Sequence, residues 1–228
     1  MTADPHPLDD PIRAALTGPH AHFAEWRGGV VRYPVDVAPF LSLPDPATDA
    51  DWADAAALAG PGGLVPLVGG SAAPEGWELT MDLAGVQMTG ESVAAVPDPE
   101  AVRLTPADVP EMLALVARTN PGPFRPRTIT MGSYLGIRHN GRLIAMAGER
   151  LHPPGWTEIS AVCTDPAHRA QGLATRLIHT LATQIRARDE LPFLHALATN
   201  TPAIHLYRSL GFHLRRPTTF TAAKVPTP

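Results

Sequence analysis

With 228 residues, 44% hydrophobic and 18% charged, the chain has room for one large domain or two small ones and reads as an ordinary soluble globular protein. No apolar run approaches the ~20 residues that a membrane span needs, and the acidic, proline-rich start MTADPHPLDD has the pattern of neither a secretory signal nor a transit peptide. A single cysteine, Cys163, excludes an intrachain disulfide, so a reducing cytoplasm is the expected compartment and no membrane partner is expected.

The net charge of −4 hides an asymmetry. Residues 1–100 carry 15 acidic against 3 basic residues, whereas residues 101–228 carry 7 against 15. Two readings are open. Either two oppositely charged surfaces attract each other, or a basic half holds an anionic ligand while an acidic half draws in a cation. The positive charges are not interleaved with aromatics and the whole chain is acidic, so nucleic acid is not an expected partner.

In chain order, the first half offers short β-like runs, GVVRYPV, GGLVPLVGG and GWELTMDLAGVQMTG, among Pro, Gly and Asp turns. One helix, DADWADAAALAG, stops at a glycine. His20-Ala21-His22 has no companion ligand in the sequence and no metal is expected. Prolines 97, 99 and 106 then mark a linker. The expected organisation is a smaller N-terminal α/β unit over residues 1–98 and a second unit over 99–228.

After the linker, Thr105-Pro106-Ala107-Asp108 opens a helix that ends near Asn120-Pro121-Gly122. SYLGIRH and GRLIAMAGERL read as two strands joined at Asn140-Gly141, the strongest short hairpin signal. TEISAVCT is a further strand. A helix follows Gly172 with Leu173, Leu177, Ile178, Leu181 and Ile185 at a 3.6-residue period. PFLHALA reads as a buried parallel neighbour, Thr201-Pro202 starts a last helix that stops at Gly211, and FHLRRPTTFTAAK supplies one or two closing strands. Strand, crossover helix, strand is an α/β arrangement.

The chemistry concentrates where TEISAVCT turns through Arg169-Ala170-Gln171-Gly172 into the next helix. Unpaired N–H groups and the helix dipole converge there, which suits a phosphate. Gly172 lets the backbone approach an anion, Ala174 is small and Arg169 adds charge. A nucleotide P-loop would need Gly-Lys-Ser/Thr, and Gly172 is followed by Leu-Ala-Thr. A dinucleotide fold would need G-x-G-x-x-G after its first strand, which is absent.

The segment from about 101 to 220 resembles the GNAT family of N-acetyltransferases. Three features carry the resemblance: Arg169-x-x-Gly172-x-Ala174, matching the family's R/Q-x-x-G-x-G/A loop; Asn200 followed by AIHLYRSLGF; and Glu158 on the strand that runs into the loop. The wording AMAGERL…TEISAVCTDPAHR…PFLHALATN further resembles a bacterial subgroup whose first half is a degenerate GNAT-like unit. The implied fold is α/β, with a central mixed, mostly antiparallel sheet flanked by helices.

The resemblance implies acetyl transfer from acetyl-CoA to a primary amine of a small molecule, peptide or protein inside a ternary complex. The alternative is a non-catalytic acyl-CoA binder or sensor. Arg169, Ala170, Gln171, Gly172, Leu173, Ala174 and Thr175 would hold the pyrophosphate. Position 170 is Ala where many members have Gly. Val162, Cys163 and Thr164 would pair with pantetheine, and Asn200 would bond its amide or the substrate. Glu158, 14 residues before Gly172, is the expected base, its pKa raised by an apolar strand. Glu149 is its rival, or a binder of the acceptor's cationic group. Tyr207 is the expected general acid, reaching the CoA sulfur. Arg176 and Arg208 are expected near the CoA phosphates, and the acidic half is expected to suit the amine. Cys163 has no histidine in a triad arrangement and reads as a packing residue, as do His168, His195 and His205. A monomer or homodimer is expected.

Overall fold

The structure is a computed structural model that describes residues 6–69 and 72–227. Residues 1–5, and Gly70 near the end of one expected strand run, lie outside them. The elements run α1 (Pro11–Leu16), β1 (Glu25–Arg27), β2 (Val30–Arg32), β3 (Leu41–Ser42), α2 (Asp49–Ala59), β4 (Leu64–Val68), β5 (Glu78–Thr89) and β6 (Val102–Arg103). They continue α3 (Val109–Thr119), β7 (Tyr134–His139), β8 (Arg142–Glu149), β9 (Trp156–Thr164), α4 (Leu173–Arg186), β10 (Leu191–Leu197), α5 (Thr201–Ser209) and β11 (His213–Lys224).

Local rules explain much of this. At the β7–β8 turn Asn140 and Gly141 both take positive φ, 50° and 78°, the geometry a two-residue hairpin needs to match strand twist. Thr48 and Asp51 form a capping box that starts α2. Asn120 closes α3 in the left-handed conformation, its N–H donating to the Val116 carbonyl. In α4 the predicted stripe is the buried one, with Leu177, Ile178, Leu181 and Ile185 fully inaccessible. Each such side chain contributes about 1.5–3 kcal/mol by burial.

Eight strands form one sheet in the order β4-β11-β5-β10-β9-β8-β7-β6, in which β9 and β10 are the parallel pair, and β1-β2-β3 form a separate small meander. The sheet crosses the linker. β5, from the first half, pairs with β10 on one side and β11 on the other, and β4 extends the far edge. The division expected at residue 98 therefore falls between strands of a single sheet. In the first half β3, two residues long, precedes α2.

α4 packs on one face of the sheet, against Leu135, Ile144, Ile159 and Leu194 among others. On the opposite face α3 covers Tyr134, Leu143 and Met146. Beside it the N-terminal segment brings Leu8, Ile12, Val31 and Tyr33 onto Leu151 and Phe193. A space remains on this face between α3's loop and the N-terminal segment, and the candidate site occupies it.

The charge asymmetry has a structural explanation. Asp9 pairs with Arg215 (2.7 Å) and Arg216 (3.2 Å), Asp36 with Arg127 (3.2 Å) and Glu78 with Lys224 (3.8 Å). Arg176 is gripped by Asp98 and Glu100. The acidic half faces the basic half, which is the first of the two readings of the charge.

Candidate functional site

β9 and β10 run side by side only as far as the Glu158–Phe193 pair, and beyond it they part. From Ile159 to Thr164, β9 keeps β8 on one edge and loses β10 on the other. An extra residue swells it there, so that Ala161 and Val162 together oppose Ala147, with Ala161 at φ 52°. A non-glycine residue in that region marks a constrained position, and bulges of this kind re-aim strands beside functional sites.

At the end of β9, Asp165 anchors the loop. Its carboxylate accepts from the Ala167 N–H (3.2 Å), from Arg118 Nε (3.2 Å) and from Arg142 Nη2 (3.1 Å). These partners hold it ionised, below the ordinary carboxylate range, with the backbone bond foremost. The loop is exposed from Arg169 to Gly172 and then enters α4. Gly172 is the N-cap, at φ 73°, and no side chain caps the helix. The N–H groups of the first turn therefore point outward as free donors. Ala170 also sits at positive φ, 59°, the conformation for which glycine is the usual residue. The residues fit an anionic pyrophosphate in charge, backbone conformation and donor direction.

A cavity of about 670 Å³ opens alongside the parted strands. Val162, Asn200 and Tyr207 lie on it, joined by Tyr33, Phe40 and His195. Asn200 caps α5 through its side-chain oxygen, which accepts from the Ala203 N–H at 3.4 Å, leaving its amide N–H groups for other partners. Tyr207 is nearly buried, with its hydroxyl pushed up to about 12 by burial. Cys163 points to the α3 side, beside Leu115 and Ala161, and burial pushes its thiol up to about 11. It is a core residue.

Glu158 departs from expectation. It has no exposed surface, and Arg150 donates to both its oxygens, Nε to Oε2 at 2.8 Å and Nη2 to Oε1 at 2.7 Å. Burial alone would raise its pKa, as the sequence led us to expect. The guanidinium and His195 outweigh burial and drive it well below the carboxylate range. His195 meets Glu158 Oε1 through Nδ1 at 2.7 Å. The rest of the network assigns its proton. Arg215 donates to Gln87 Oε1 (2.8 Å), so the Gln87 amide nitrogen faces the other way, donating to the Leu8 carbonyl (2.9 Å) and toward His195 Nε2 (3.1 Å). A nitrogen that receives an N–H carries a lone pair, so the hydrogen-bond network places a His195 proton on Nδ1, facing Glu158.

Glu149 is a second correction. It is buried with Oε1 accepting from Arg188 (2.9 Å) and Oε2 from the Ser133 N–H (3.0 Å), and it does not line the cavity. Arg176, bound to its two acids, is not free for a phosphate, whereas Arg169 and Arg208 make no ion pair among the described residues. His20 donates from Nε2 to the Met131 carbonyl (3.0 Å) and its Nδ1 lies 2.8 Å from the Tyr33 hydroxyl, His168 lies tilted against His139, and His205 is exposed. Sequence reasoning missed Arg150, Gln87, Tyr33 and Asp165. An arginine just past one apolar strand and a lone acid on the next was the signal available for Arg150. No helix of the described residues is long and apolar enough to cross a membrane.

Comparison with known proteins converges on the same region. The model of the FR47-like protein family matches residues 134–221. A solved acetyltransferase described as of the GNAT family, from Novosphingobium aromaticivorans, is 38% identical, with 98% of this chain and 100% of that one superposed at a TM-score of 0.90. A GCN5-related N-acetyltransferase from Kribbella flavida is 16% identical and shares the fold, at a TM-score of 0.57 over 95% and 96% of the two chains. The N-alpha-acetyltransferase RimI of Mycobacterium tuberculosis is 37% identical over 82 residues, 35% of this chain and 51% of that protein. An uncharacterised protein of Mycobacterium leprae is 34% identical over 120 residues, and the chain spans 33% of its length. The matches thus span about half and a third of these two curated relatives.

Proposed function

Because the chain belongs to the GNAT family of N-acetyltransferases, we propose that it transfers an acetyl group from acetyl-CoA to a primary amine by direct attack in a ternary complex. The observation that carries this reading is the uncapped N-terminus of α4 standing where β9 leaves β10. It offers an anion site and an open strand edge in one place. The likeness to an N-alpha-acetyltransferase is in keeping with an amine acceptor.

In this reading the backbone N–H groups of Arg169–Thr175 hold the pyrophosphate. The open edge of Val162, Cys163 and Thr164 pairs with pantetheine, and an N–H of that edge polarises the thioester carbonyl. Asn200 donates from its amide. The acceptor nitrogen attacks the carbonyl carbon, the C–S bond breaks, and Tyr207 gives its proton to the departing thiolate.

The proton lost by the amine goes to His195 Nε2. Gln87 gives up that nitrogen and keeps the Leu8 carbonyl. Glu158, ionised and buried, touches no substrate in this scheme. It is a positioning residue that fixes the His195 tautomer and supports the imidazolium.

Isothermal titration with CoA and acetyl-CoA tests the reading. Micromolar binding, about −8 kcal/mol, abolished in Gly172→Glu supports it. Failure of the wild type to bind either ligand overturns it, and binding with no acetyl transfer to any amine identifies a binder or sensor instead.

A further inference from the structure

The cavity's lining gives information about the acceptor, on the premise that the chain is the acetyltransferase just described. Its walls are apolar on the sides built by the first half: Val35 and Phe40, Pro66 and Val68 of β4, and Leu83 of β5, with Phe220 of β11 paired between Val68 and Leu83. Among the described residues one carboxylate lines it, Glu158, and that carboxylate is saturated by Arg150 and His195. None of the described acids of the first half lines the cavity, and Asp9, Asp36, Glu78, Asp98 and Glu100 are paired across to the second half. A second ammonium entering this space would find no counter-charge, and a buried unpaired charge is costly.

The cations of the lining are three arginines. Arg32 is engaged by Glu25 and the Leu58 carbonyl, and Arg150 by Glu158. Arg125 lies on the exposed loop after α3 and makes no ion pair among the described residues. Its fork matches a carboxylate in shape and charge. The positive surroundings also favour the neutral form of an incoming amine, which is the form that attacks.

We propose that the acceptor is an apolar primary amine that carries a carboxylate, the chemistry of a hydrophobic amino acid, with its apolar body in the cavity and its carboxylate on Arg125. Polyamines and lysine-rich peptides are excluded by the same features.

The test is thiol release by the full-length protein with acetyl-CoA and five acceptors: L-phenylalanine, L-leucine, phenethylamine, spermidine and a lysine-rich peptide. The expected result is a kcat/KM for phenylalanine about 10-fold above that for phenethylamine, which lacks the carboxylate, and about 100-fold above that for spermidine. In Arg125→Ala the phenylalanine-to-phenethylamine ratio falls about 10-fold. Spermidine or the peptide as the best acceptor overturns the proposal, as does an unchanged ratio in the variant. Octanoyl-CoA binding more tightly than acetyl-CoA, with phenylalanine inert, also overturns it by assigning the cavity to the donor's chain. Loss of acetyl-CoA binding itself would be seen separately by titration, and would instead remove the underlying reading.

Discussion

Glu158 and His195 stand 2.7 Å apart on neighbouring parallel strands, and His195 lies two residues past the last backbone pair that joins those strands. The pair sits where the sheet opens, with the carboxylate behind and the imidazole on the cavity. Its two members should respond differently to substitution. Glu158→Gln leaves the buried Arg150 guanidinium without its counter-charge and should cost about 3–5 kcal/mol in urea unfolding. His195→Gln keeps the ion pair, so stability should change far less while kcat falls about 100-fold or more. Equal stability losses in the two variants would contradict the division of roles.

Ala170 holds a left-handed backbone that costs a residue with a Cβ about 1–2 kcal/mol. Ala170→Gly should therefore raise the melting temperature by a few degrees and tighten CoA binding severalfold, because the loop no longer strains to present its N–H groups. Calorimetry and titration on the same preparation check both.

Burial holds the Tyr207 proton, with the hydroxyl near 12, so the residue is a donor across the physiological range. Tyr207→Phe should preserve the packing of the ring on Phe212, which lies 5.9 Å away, and leave the melting temperature nearly unchanged. Turnover should fall about 10- to 100-fold, most sharply with acetyl-CoA itself and least with donors whose thiol leaving group is more acidic.

His20 is held at about 3, well below the ordinary 6.5, first by burial and next by the neighbouring His152. The unfolded chain takes up a proton here as pH falls through about 6.5, and the folded chain does so only near 3. Stability from this group is therefore intact above pH 6.5 and declines as pH falls toward 3, by about 2 kcal/mol at pH 5. Glu158 acts in the same direction, its contribution present above the ordinary carboxylate pKa and lost as pH falls through its depressed one. Thermal melts at pH 7.5 and pH 5 should show a drop that is smaller in His20→Asn than in the wild type.

Local signals made part of this molecule readable in advance. The Asn140-Gly141 hairpin, the stripe of α4 and the loop at Gly172 are each set by neighbours in sequence, and each stands where expected. What escaped was set by distant contacts. Nothing near Glu158 announces Arg150 and His195, which reach it from other strands, so burial was read as the whole environment and the pKa direction came out reversed. Arg188 reaches Glu149 from a distant part of the chain in the same way. Asp9, Asp36 and Asp98 looked available because their arginine partners lie more than 70 positions away in the chain. α1 and the short strands β1 and β3 carry too few residues to show a period.

The insertion of β5 between β10 and β11 has a consequence for synthesis. The ribosome finishes β5 at Thr89 and does not reach Leu191, where its first neighbour begins, until on the order of ten seconds later. In that interval a 12-residue strand is complete while both of its edges lack their partners. Unpaired edges recruit other chains. A nascent polypeptide with this topology is exposed to misassembly until β11 emerges, so its yield of active protein should depend on chaperone supply and translation speed more than its final stability would suggest.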